Sequence, residues 1–257
     1  MDEREWQRDG WDAETRIGLL TPAGDVGPEA EFKAMSPPSA TVHASRVPFA
    51  AMRQRGAMDP TIAIEAVRAF AQPPGVDTAV ELLALAPLQV IGFGFTSSAY
   101  VIGRAGEQDM CTRLSDRAGG IPVVASGAAM VDAALSLEAQ RVALFSPPWF
   151  DAHLIELGSQ YFASAGFDVV AAASADLPSD QRSIPPAPLH AWVMANTPPE
   201  AEVVIIGGNG FRAVGVIEAL ERDLRRPVVT ANQALLWACL TSSGSSAQVV
   251  GYGQLFR

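Results

Sequence analysis

Short apolar runs alternate along the chain with longer stretches in which apolar residues recur every three or four positions, the pattern of repeated βα units. This pattern predicts strands over Arg16–Thr21, Ala40–Arg46, Val90–Phe95, Val123–Ala125, Arg141–Phe145, Asp168–Ala171, Val203–Ile206 and Val228–Thr230. Apolar strands separated by helices belong in parallel sheets whose two faces are both covered. Eight of them fit one closed barrel or two open sheets.

An internal repeat favours two sheets. Ile121-Pro-Val-Val-Ala-Ser-Gly-Ala-Ala-Met-Val and Arg226-Pro-Val-Val-Thr-Ala-Asn-Gln-Ala-Leu-Leu share a Pro-Val-Val strand, a small polar turn and a helix, with Ala129 falling opposite Ala234 and Ala133 opposite Ala238. Each copy follows a glycine-containing strand end, Val90-Ile-Gly-Phe-Gly-Phe-Thr-Ser-Ser in one half and Val203-Val-Ile-Ile-Gly-Gly-Asn-Gly in the other. The expected architecture is α/β: two similar Rossmann-like lobes, each a parallel sheet flanked by helices, related by pseudo-two-fold symmetry, with a ligand cleft between them. The first lobe is expected to comprise residues 15–124 plus 231–257, and the second residues 125–230. Gln72-Pro-Pro-Gly-Val and the Pro/Ser-rich stretch Leu177 to Leu189 read as surface loops. The second is long enough to act as a flap, or is a plain surface excursion.

Composition narrows the function. With 18 basic against 28 acidic residues the formal charge is −10, which argues against nucleic acid as a partner. Lys33 is the single lysine, and no Gly-rich loop ends in Lys-Ser or Lys-Thr, so Schiff-base and P-loop chemistry are not expected. His43, His153 and His190 lack metal-ligand spacing, and Cys111 and Cys239 fall in helical patterns without CxxC spacing. No metal is expected. The stretch from Met1 to Glu14 is polar, and no run approaches the ~20 apolar residues of a membrane span, so a cytoplasmic location without membrane association is expected.

In open parallel sheets, ligands bind beyond the carboxyl ends of the strands, where backbone N–H groups and helix N-termini favour anions. Three segments qualify: Pro22-Ala-Gly-Asp-Val-Gly-Pro-Glu29, Phe95-Thr-Ser-Ser98 and Gly207-Gly-Asn-Gly210. Thr96, Ser97 and Ser98 have the makings of a carboxylate or oxyanion cradle, or of a helix cap. Gly207, Gly208 and Gly210 admit close approach of a ligand to the backbone, or merely form a turn. Arg46 and Arg212 are candidate partners for a substrate carboxylate, or surface ion pairs.

Together these segments resemble the superfamily of aspartate and glutamate racemases, maleate cis-trans isomerase and arylmalonate decarboxylase. The opening Arg16-Ile-Gly-Leu-Leu-Thr-Pro-Ala-Gly-Asp-Val-Gly-Pro-Glu is similar to that of maleate isomerases, with Asp25 in the place of an Asn. His43-Ala-Ser-Arg46 resembles their His-Ser-Ser-Arg stretch, and Gly251-Tyr-Gly-Gln-Leu-Phe resembles the tail of arylmalonate decarboxylase. The resemblance implies a cofactor-independent isomerase, racemase or decarboxylase acting on a small carboxylate or dicarboxylate, and leaves open whether it is a homodimer. It places Phe95 and Gly208 where relatives carry catalytic cysteines, so both thiols are expected to be replaced. Phe95 either closes one half of the pocket or simply packs. Pro22, Thr96, Ser97, Ser98, Trp149, Gly208, Asn209 and Gly210 become the expected substrate-binding residues, with Ser146 or Pro148 as alternatives to Trp149. Asp25 and Ser97 become the catalytic candidates, with Glu29 a second acid/base candidate. The alternative is an inactive relative that binds a small carboxylate as a sensor or partner subunit.

Overall fold

The computed structural model describes residues 9–257. Residues 1–8, part of the polar N-terminal stretch, lie outside the described residues. In the first half, β1 (Thr15–Pro22), α1 (Gly27–Met35), β2 (Ala40–Val47), α2 (Ile64–Phe70), α3 (Gly75–Leu83), β3 (Val90–Phe93), α4 (Thr96–Arg117), β4 (Val123–Ala125) and α5 (Ser126–Ser136) follow in order. The second half holds β5 (Arg141–Ser146), α6 (Ala152–Ser164), β6 (Asp168–Ser174), α7 (Pro186–Asn196), β7 (Val203–Ile206), α8 (Ile217–Leu224), β8 (Val228–Thr230) and α9 (Ala231–Ser242).

The eight expected strands form two four-stranded sheets, ordered β2-β1-β3-β4 and β6-β5-β7-β8, and every pairing is parallel. The same order appears twice, as the sequence repeat requires. The inner strands are apolar on both faces because helices cover both: Val90, Ile91 and Phe93 in β3 and Val203 to Ile206 in β7 are all buried. Two boundaries differ from expectation. β3 stops at Phe93 rather than Phe95, because the Gly94 N–H makes the last bond to β1, to the Leu20 carbonyl at 2.9 Å, and Phe95 then becomes the N-cap residue of α4. β6 runs on to Ser174 because Ala172, Ala173 and Ser174 pair with Leu144, Phe145 and Ser146. That alanine-rich tail has little strand propensity of its own; its neighbour recruits it.

The helix that follows the last strand of each half lies between the sheets. α9 packs on β3 and β4 of the first sheet, on α1 and on α5, while α5 also reaches β8 of the second. Gly92 makes the first contact close: a β-carbon there would stand 3.1 Å from Cys239 Sγ and 3.3 Å from Leu235. Gly127, at the start of α5, is tighter still. Its N–H donates to Glu107 Oε1 at 3.1 Å, and the Tyr161 hydroxyl donates to the other carboxylate oxygen. Burial, only partly opposed by these donors, pushes the Glu107 carboxyl up to about 7.

A methyl group at Gly127 would meet Glu107 Oε1 at 2.7 Å and the Tyr161 hydroxyl at 2.8 Å, and would overlap the Ala99 methyl. Gly127→Ala is therefore expected to destabilise the fold by about 1–3 kcal/mol, read as a lower urea midpoint with an unchanged slope.

Candidate functional site

In both sheets the strand order reverses between the first strand of the half and the third, which leaves a crevice beyond their carboxyl ends. The two crevices face one another, and the four loops leaving β1, β3, β5 and β7 line a single cavity together with Phe49, Met52, Met58, Ile62 and Gln181. It is narrow. The space open to the centre of a water-sized sphere is about 30 Å³, room for about one or two waters.

Asp25 comes from the loop after β1 and is 3% exposed. Its Oδ1 accepts the Gly27 N–H at 2.9 Å. Burial raises its carboxyl to about 6, against the lowering effects of the Gly27 N–H, the Gln181 side chain and the Arg46 charge. Arg46 donates to the Asp25 carbonyl and pairs with Glu29. The Glu29 expectation is thereby corrected: Glu29 lies outside the cavity lining, in a partly exposed ion pair.

Asn209, on the loop after β7, ties the two halves together. Its Oδ1 accepts both the Thr96 N–H at 2.8 Å and the Thr96 hydroxyl at 2.7 Å. Its Nδ2 donates to Ser126 Oγ at 2.9 Å and to Asn232 Oδ1 at 2.8 Å. Asn232 donates in turn to Glu31 Oε2 at 2.7 Å and to the Asn209 carbonyl at 2.8 Å, and Glu31 Oε1 takes the N–H groups of Ala213 and Val214. Burial outweighs these donors and lifts the Glu31 carboxyl to about 7.

This network revises the expected cradle. The Thr96 hydroxyl and N–H and the Asn209 carboxamide all line the cavity but are spent on each other. The Ser98 hydroxyl turns back to the Phe95 carbonyl at 2.8 Å, and Ser98 is not part of the lining. Among the described residues no protein acceptor meets the N–H groups of Ser97, Gly208, Asn209 or Gly210, nor does the Ser97 hydroxyl find a partner. Free donors at the start of the long helix α4 and at the glycine turn are suited to hold an oxyanion.

Pro22 and Trp149 also line the cavity, whereas Ser146 and Pro148 do not. Trp149 is buried edge-on against Phe211, with ring centroids 5.9 Å apart. Phe95 both packs and closes the pocket: its ring lies 4.0 Å from that of Phe70 and 4.9 Å from that of Phe49, and it forms part of the cavity wall. Arg212 is absent from this lining and borders a neighbouring groove instead. Neither cysteine reaches the cavity. Burial, with Glu107 nearby, pushes the Cys111 thiol up to about 12, and burial against Gly92 pushes Cys239 up as well. Among the described residues no three His, Cys, Asp or Glu side chains converge as a metal set would.

Sequence reasoning missed Gln181, the apolar wall from Phe49 to Ile62, and the Glu31–Asn232 arm of the network. Only the length of the Leu177–Leu189 loop hinted at the first.

A family model described as arylmalonate decarboxylase matches residues 17–256. The chain belongs to the arylmalonate decarboxylase family. Within and around that family, it is 25% identical to a maleate isomerase of Pseudomonas putida, over 93% of this chain and 96% of the relative. The maleate isomerase of Pseudomonas putida S16, solved with maleate, superposes with a TM-score of 0.82 at 21% identity, covering 94% of this chain and 97% of that one. A Nocardia farcinica maleate cis-trans isomerase variant, solved with a covalently bound succinylcysteine intermediate, gives 0.80 at 24% identity over 95% and 98%. An arylmalonate decarboxylase structure gives 0.74 at 20% identity over 94% and 98%. These likenesses establish the two-sheet fold.

Gly208 occupies φ +88°, and a β-carbon there would stand 2.7 Å from Pro147 Cγ. Placing a thiol at this position, Gly208→Cys, is expected to cost about 1–3 kcal/mol from backbone strain and the proline contact, measured as a fall in the thermal or urea midpoint against the native chain.

Proposed function

We propose that the chain is a cofactor-independent enzyme of small carboxylates in which Asp25 takes the proton-transferring role that relatives give to cysteine, and that its reaction is decarboxylation of a malonate-type acid. The observation that carries this is that, among the described residues, Asp25 is the sole titratable side chain lining a cavity that also holds free backbone donors and an apolar wall. Racemisation by proton removal on one face and return on the other needs two such groups. Decarboxylation needs one.

In this reading the departing carboxylate sits against Phe49, Met58, Ile62 and Phe95, where desolvation favours its loss as carbon dioxide. The carbon–carbon bond breaks, its electron pair passes into an enediolate, and the N–H groups of Ser97, Gly208 and Asn209 with the Ser97 hydroxyl hold the developing oxyanion. Asp25 then gives its proton to the α-carbon and recovers one from water. A carboxyl at about 6 in the free protein is driven further up by an anionic substrate beside it, so it is protonated in the complex. The apolar wall is contributed largely by residues 49–62, which differ in kind from the polar loops opposite. The packing of α9 on the first sheet supports a division into lobes at residues 15–124 plus 231–257 and 125–230. Free Cys111 and Cys239 fit a reducing compartment, and among the described residues no helix is long and apolar enough to cross a membrane.

The narrowness of the cavity favours one second reading, binding of a small carboxylate without turnover. Proton NMR in deuterated water with phenylmalonate, methylmalonate, maleate and aspartate separates the two: deuterated monoacid is expected from the malonates, and binding without any product would leave the sensor reading standing.

Two outcomes are expected once turnover is in hand. Because Asp25 acts in its protonated form, kcat/KM should be level below about pH 6 and fall roughly tenfold per pH unit above it. A rise in that direction would make Asp25 a base and sink the donor assignment. Asp25→Asn should reduce kcat by roughly 10²–10⁴-fold while an unreactive monocarboxylate still binds.

A further inference from the structure

A second cavity, of about 400 Å³ by the same measure, adjoins the first, and Gln181 and Gly210 line both. One wall is α1, which offers Val26, Ala30 and Ala34; the other is formed by Val214 and Tyr252. Val26 is 65% exposed there, a large apolar side chain facing an open groove. Arg182 and Arg212 border the same space. Arg182 is paired with Asp180, whereas among the described residues no carboxylate lies within ion-pair distance of Arg212. In a chain of net charge −10, an unpaired guanidinium beside an apolar groove stands out. The groove's own carboxylate, Glu31, has its oxygens taken by Ala213, Val214 and Asn232.

Gln181 is the partition between the two spaces. Its side chain lies beside Asp25, and it can lie there because Gly210 has no side chain: a β-carbon at Gly210 would overlap Gln181 Nε2 and come within 2.8 Å of Asp25 Oδ2. The loop that carries it is anchored on either side. Ser179 Oγ donates to the Pro60 carbonyl at 2.7 Å, and Ile184 and Leu189 are fully buried. Gln181 itself is only half-buried, and its side chain lines both spaces.

We infer that the substrate spans both cavities: its reacting malonate end occupies the inner site, an apolar chain of several carbons lies along α1, and a further anionic group at the far end pairs with Arg212. The inner space alone is too small for more than a few atoms, and the outer groove supplies the length, the apolar contact and the opposite charge. This rests on the anion cradle proposed above and adds the substrate class, a malonate-type acid whose α-substituent is an extended chain ending in a further anionic group. Gln181 acts as a specificity residue, closing the inner site when no chain passes through.

Calorimetric titration of the full chain with acetate, malonate, hexanoate and adipate tests this without requiring turnover. Hexanoate and adipate have the same length and differ in the distal carboxylate. Adipate is expected to bind about tenfold more tightly than hexanoate, as a charge-assisted contact at a partly exposed site allows, and Arg212→Gln should bring that ratio close to one. Gln181→Ala should tighten both six-carbon acids relative to acetate, because the partition no longer has to move. Equal affinities for adipate and hexanoate in the native chain, or a ratio that survives Arg212→Gln, would overturn the inference while binding of acetate and malonate left the inner cradle in place. Failure of all four acids to bind to either the native chain or Gln181→Ala would overturn the cradle and this inference together.

Discussion

The architecture turns on one buried carboxamide. Asn209 satisfies four hydrogen bonds at once, two accepted from Thr96 and two donated to Ser126 and Asn232. Through those partners it locks the start of α4, the start of α5 and the start of α9, and through Asn232 and Glu31 it reaches α1 and the 213–214 backbone. A network of this kind is worth having only when every member is paired, since one orphaned amide in a dry interior is costly. Here the pairing is complete along that chain of groups. The loops that define the cavity therefore arrive with little freedom, and the donors left over point to the space between them.

The same economy separates residues that hold the site from residues left to act in it. Thr96 and Asn209 look reactive by residue type and are structural by connection. Ser97 looks no different in sequence from its neighbours, yet it is the member of the Thr-Ser-Ser run whose groups remain uncommitted. Asp25 is held by one backbone N–H, with the Gln181 side chain beside it, little compensation for a carboxyl so deeply buried, and burial consequently dominates its titration. Glu31 and Glu107 are raised for the same reason but lie in scaffolding positions.

Much of this was legible in the sequence and the limits were physical. The strand pattern and the two Pro-Val-Val copies carry the two-sheet order because period and repetition are local signals. The loops after β1, β3 and β7 were recognisable by glycine, proline and hydroxyl content at predicted strand ends. What stayed hidden depends on separations of many residues along the chain: the pairing of Asn209 with Thr96 spans 113 positions and that of Asn232 with Glu31 spans 201. Ser98 could not be told from Ser97 without knowing which way each hydroxyl turns, and Gln181 sat in a loop whose composition signalled only exposure. The positive φ at Gly208 was likewise invisible, since a glycine at a turn reads the same whether or not the backbone requires it.

The placement of α9 carries a consequence for how the chain acquires this structure. The first sheet is complete in strands by Ala125, yet the helix covering β3 and β4 is made of residues 231–242. During synthesis the hydrophobic face around Gly92 therefore waits uncovered until almost the last helix has emerged, and neither half has a finished interior of its own. Contacts so remote in sequence slow folding and expose partly folded chains to association. Excision of either half is for that reason a poor route to a stable fragment, and folding is a property of the whole chain.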